Sequence, residues 1–164
     1  METIIKAYNE SEYREILRQA VAVIEASRNK VARAIVSTSN EMHWNVGRIL
    51  HEKKLDSKHG DSVVKRLSVD LKAAFPKIGM SVSNLWNMKR FYVRFHNSGQ
   101  KLQQAVIVLP WGHLNYLITN FGDDDNAILY YARKTIEKGW SRELLANAVS
   151  MKMHLSIPET NTSN

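Results

Sequence analysis

The sequence contains no cysteine, three prolines and seven glycines in 164 residues. Without cysteine there are no disulfides, thiolate zinc sites or cysteine nucleophiles, which fits a reducing compartment. Apolar runs are short as well. None approaches the roughly 18 residues that a spanning helix needs, so no membrane partner is expected. The N-terminus lacks a basic segment followed by an apolar stretch and does not read as a secretion signal, which makes the cytoplasm the expected location. The glycine-rich nucleotide loops and the G-x-S-x-G of serine hydrolases are missing too. The six histidines, His43, His51, His59, His96, His113 and His154, show neither H-x-x-x-H nor H-E-x-x-H spacing. Neither a metal nor a cofactor is expected, and no catalytic residue stands out.

What the chain does have is helical periodicity and positive charge. Apolar residues make up 44% and charged residues 24%, ordinary values for a globular protein, and the net charge is +7. Lys and Arg number 3 against 5 Asp and Glu in residues 1–27, 15 against 5 in residues 28–101, and 5 against 6 in residues 102–164. A positive field concentrated in the middle of a chain attracts polyanions, because each neutralised phosphate releases condensed counterions.

The periodicity predicts an all-α domain over residues 1–155, with at most one very short strand, and a flexible tail over residues 156–164. A long helix, or two in line, covers residues 10–54. Within it Leu17, Ile24 and Val31 stand seven apart, the spacing of a dimer seam. After a polar break, a helix-turn-helix-like unit covers residues 61–96. Its first helix begins at Asp61 or Ser62 as cap and places Val64, Leu67, Leu71 and Phe75 on one face. Its second begins after Ser81, with Leu85, Met88, Tyr92 and Phe95 on one side and Ser83, Asn87, Arg90 and Arg94 on the other. Ala105–Leu109 reads as a short strand or buried extended segment. Three helices follow over residues 111–155. The first carries Leu114, Leu117 and Ile118, the second Ile128, Tyr131, Ala132 and Ile136, and the third Leu144, Ala148 and Val149 inward.

Two helices joined by a tight, glycine-containing link have the order of a DNA-reading pair, whose second helix enters the major groove. On that reading Ser83, Asn87 and Arg90 are the base-contact candidates, since Asn can pair bidentately with adenine and Arg with guanine. Lys65, Arg66, Lys72, Lys77, Lys89 and Arg94 are the phosphate-contact candidates. Asp70-Leu71-Lys72 matches half of a nuclease motif, but it lies on an amphipathic helix without acids from other elements.

Several segments carry a resemblance to a known family: His43-Trp44-Asn45-Val46-Gly47-Arg48-Ile49, Leu67 to Pro76, Ser81 to Phe91, Leu109-Pro110-Trp111-Gly112-His113, and Tyr130-Tyr131-Ala132-Arg133-Lys134 leading to Gly139-Trp140-Ser141-Arg142. In order and spacing they resemble the N-terminal domain of bacterial YhcG-like proteins. In that family the helical domain precedes a PD-(D/E)XK nuclease domain and is sometimes associated with restriction-modification loci. The resemblance implies a DNA-handling context. It also implies that catalysis resides in the nuclease domain, which would begin where this chain stops, so no enzyme is expected here. Two features depart from the family pattern: Ser83 replaces a basic residue, and Gly60-Asp61 replaces a Trp-Gly pair. The expected function is a non-catalytic DNA-binding or DNA-targeting module, with duplex DNA and a nuclease or restriction-system protein as partners. The alternative is a protein-interaction module that forms a homodimer or docks a partner through its first helix, without touching nucleic acid.

Overall fold

The computed structural model describes residues 9–56 and 58–156. Its elements are α1 (Glu10–Glu52), α2 (Asp61–Ala74), α3 (Val82–Phe95), α4 (Gln100–Ile107), α5 (Trp111–Phe121), α6 (Asp125–Lys138) and α7 (Arg142–Ser150), followed by a 3-10 turn over Met153–Leu155. Among the described residues there is no strand, and the fold class is all-α as expected. Beyond Ser156, the tail expected over residues 156–164 lies outside the described residues.

The strand or extended segment expected over Ala105–Leu109 is instead the end of α4 and the turn after it. Its β-branched run is ambiguous by itself, and burial of Leu102, Val106 and Leu109 at helical spacing settles it. Three further expectations are corrected. Phe75 is exposed rather than inward, because it has left the helix and its backbone no longer aims it with Val64. Leu144 is exposed and Leu145 buried, a choice between neighbours that a nine-residue helix leaves to packing. Ile136 is also exposed.

The chain divides between Ile35 and Val36 into two compact units. In the first, every residue from 9 to 35 is exposed, although all but Asn9 lie in α1. In the second, α1 continues and buries Asn40, His43, Gly47 and Leu50, one face at three- and four-residue spacing. Gly47 is required there. A Cβ on it would stand 2.1 Å from the Met88 carbonyl oxygen, so α1 and α3 cross backbone to backbone.

α3 is the central element of this unit. Leu85 and Met88 share one apolar cluster with Leu50, Val64 and Met80. Phe91 and Phe95 belong to a larger one with Leu102, Val106, Leu114, Leu117, Ile128, Tyr131 and Leu145. Phe91 is the fully buried residue where Tyr92 was expected. α2 and α5 pack on α3, and α6 packs on α4 and α5. Local chemistry sets the boundaries. The Ser81, Asp124 and Ser141 side chains accept from the third backbone N–H of α3, α6 and α7 respectively. Gly139, at φ 63°, ends α6 in the left-handed region. α2 differs from expectation in its cap, which is Gly60, buried so tightly against Leu55 that a side chain would collide.

Candidate nucleic-acid interface

The α2–α3 link is held by side chains at both ends. Ser68 Oγ, buried on α2, donates to the Met80 carbonyl at 2.6 Å, and Asn84 Nδ2 on α3 donates to the Gly79 carbonyl. These bonds join the link to both helices. Lys65, Arg66 and Lys72 on α2, Lys77 on the link, and Lys53, Lys54 and Lys58 before α2 are all exposed. Lys65 pairs with Asp61 at 2.9 Å. Among the described residues none of the other six has a carboxylate within ion-pair distance, not even Arg66 with Asp70 one turn away.

The polar stripe of α3 is not a free face, because α5 lies beside it. Ser83 is exposed and Asn87 half-buried. Arg90 turns toward α5, where Nη1 donates to Thr119 Oγ1 at 3.1 Å and Nη2 to Asn115 Oδ1 at 3.4 Å. Its Nε is buried without a hydrogen-bond partner among the described residues, and burial pushes the guanidinium pKa below its ordinary value. Arg94 donates to the Gly122 carbonyl and pairs with Asp125 at 2.6 Å, with its side chain only 14% exposed. Lys89 donates to the Leu55 carbonyl beside the Trp86 ring. These three cations tie α3 to its neighbours. Among the base-contact candidates, Ser83 and Asn87 keep their side chains clear of such ties.

Between α3 and α5, at the start of α7, lies an open groove of about 510 Å³. Asn84, Asn87, Arg90, Trp111, Asn115 and Arg142 line it, and no carboxylate does. Trp111 Nε1 donates to Asn84 Oδ1 at 2.7 Å, and Asn115 Nδ2 to the Trp111 carbonyl at 2.9 Å. Gly112 makes room for Arg142, whose Cδ would stand 3.2 Å from a Cβ there. Two guanidinium groups and the Asn87 amide, without an acid, are chemistry suited to an anionic ligand. Sequence reading missed Trp111, Asn115 and Arg142 as lining residues. The available signal was that Trp111-Gly112 and Trp140-Ser141-Arg142 stand among the segments carrying the family resemblance.

The dimer-seam candidates Leu17, Ile24 and Val31 are 48%, 56% and 60% exposed. Among the described residues no group of three or more His, Asp or Glu could hold a metal ion, and no helix is long and apolar enough to cross a membrane.

No curated protein and no solved structure matches the chain. The sequence model of the DUF1016 N-terminal domain matches residues 19–156, in keeping with the YhcG-like resemblance, and the chain belongs to that family.

Proposed function

We propose that the chain is a non-catalytic, cytoplasmic module that binds duplex DNA and acts beside a nuclease or restriction-modification system. One observation carries this reading: of the seven cations from Lys53 to Lys77, Lys65 alone has a carboxylate partner among the described residues. A surface kept only for solubility tends to intersperse both signs. Here Arg66, Lys72 and Lys77 are exposed with no carboxylate in ion-pair contact among the described residues, and Ser83 and Asn87 on α3 remain available for base edges. Arg90, Arg94 and Lys89 tie α3 to its neighbours, and a groove lined by no carboxylate lies against Asn87.

The test is a titration of labelled duplex DNA across a salt series. Affinity should fall by about 0.9 log unit per log unit of salt for each phosphate contacted. Replacing Arg66, Lys72 and Lys77 together by Ala should flatten that slope by roughly 2.7 for each bound subunit. No binding at low salt, or a flat salt response, overturns the proposal. Asn87→Ala should cost about 1–3 kcal/mol on preferred sequences only. An equal loss on all sequences would make Asn87 a backbone contact. A second reading, a protein-interaction module, draws support from the exposed row Leu17, Ile24 and Val31.

A further inference from the structure

Residues 13–35 of α1 expose Tyr13, Ile16, Leu17, Val21, Val23, Ile24, Val31 and Ile35, each at least 42% accessible. A lone helix of this length, about 38 Å over residues 10–35, is marginal in water and should not leave such a row wet. Taking Leu17, Ile24 and Val31 as one position of the seven-residue repeat, the other core position holds Tyr13, Ala20 and Ser27. Large and small residues therefore alternate along the seam. Charge is divided along the same helix. Residues 10–25 carry Glu10, Glu12, Glu15 and Glu25 against Arg14 and Arg18, whereas residues 26–35 carry Arg28, Lys30 and Arg33 with no acid.

We infer that a second copy of this chain covers the face, with the two helices antiparallel about a two-fold axis near Ala22. In that register Tyr13 of one copy lies opposite Val31 of the other, Leu17 opposite Ser27, and Ala20 opposite Ile24. Each layer but the Tyr13–Val31 one then sets a large side chain against a small one, and those small residues let the helices approach closely. Charge does not set the orientation, because Glu12 and Glu15 lie off the seam and Glu10 and Glu15 pair with Arg14 and Arg18 along their own helix. A parallel pair would stack Ala20 on Ala20 and Ser27 on Ser27 and leave voids there. The two-fold operation makes the contact self-limiting, a closed dimer rather than a filament. The inference goes beyond the DNA reading and does not depend on it.

Light scattering of the full chain over a concentration series should show a dimer. Ile24→Gln should weaken association at least about tenfold, one unit of log affinity or ~1.4 kcal/mol. Leu17→Gln should weaken it too. Both side chains are exposed in the single chain, which guards against loss of fold in these variants. Orientation is read by cross-linking, since the native chain has no cysteine to interfere. Leu17→Cys and Ser27→Cys chains should form disulfides when mixed and not when alone. A monomer at every concentration overturns the inference and leaves the face to a foreign protein. Cross-links formed by either variant alone overturn the antiparallel arrangement, and a dimer unaffected by Ile24→Gln overturns the seam.

Discussion

His43 lies against the Trp111 indole with ring centroids 4.0 Å apart, and its Nδ1 is 3.2 Å from Asn40 Oδ1. Asn40 spends its Nδ2 on the carbonyls of Ile107 and Leu109, so its oxygen faces the ring and the neutral imidazole donates from Nδ1. Among the described residues no carboxylate pairs with it to hold a proton. Burial lowers the His43 pKa from 6.5 to about 4. An imidazole that protonates more easily unfolded than folded stabilises the native state above its unfolded pKa, and that contribution is lost as pH falls from 6.5 toward 4. The shift corresponds to about 3 kcal/mol when complete. Denaturant unfolding of wild type and His43→Gln at pH 7 and pH 4.5 should show the variant losing less on acidification. Equal losses would mean that His43 is protonated without cost. Gly47 gives a sharper residue-level test. Its missing side chain is what lets α1 touch the α3 backbone, so Gly47→Ala should cost about 3 kcal/mol or more in the same assay, well beyond its helix-propensity gain.

At the scale of elements, Asn40 on α1 closes the C-terminal end of α4 through Ile107 O at 2.8 Å and Leu109 O at 2.7 Å. Asn40→Ala leaves two carbonyls without donors and should cost about 2–4 kcal/mol, and hydrogen exchange should rise first in α4. The wild-type exchange rate in α4 would show instead that water replaces the amide. Periodicity and capping made most helices legible in the sequence. Ser81 and Ser141 could be read directly, because the hydroxyl, the following helix and the flanking apolar pair all lie within a few residues. Gly47 and Asn40 could not, since their meaning comes from partners about forty and about seventy residues away. The same distance concealed the role of the α3 arginines. On a helical wheel Arg90 and Arg94 form an unclaimed basic stripe. Thr119 and Asn115 on α5 and Asp125 on α6 engage them only after the helices pack. The basic excess in residues 28–101 was visible in the sequence, but which of its cations stay uncompensated was not.

At the scale of the whole molecule, the two proposals combine into a measurable consequence. The uncompensated cations from Lys53 to Lys77 belong to the second unit and the self-association seam to the first, so each can be altered without touching the other. A dimer carries two basic surfaces. Once one is seated on a long duplex, the second binds at an effective concentration set by the tether, and affinity rises without any new contact. Ile24→Gln should therefore weaken binding to a long duplex by at least about tenfold and roughly halve the salt slope, while each subunit keeps its own phosphate contacts. On a duplex too short for two subunits, the variant and the wild type should bind equally well. Equal binding on both lengths would mean that one subunit engages DNA alone. A loss on the short duplex as well would place DNA contacts on the first unit, where Arg28, Lys30 and Arg33 would be the residues to test next.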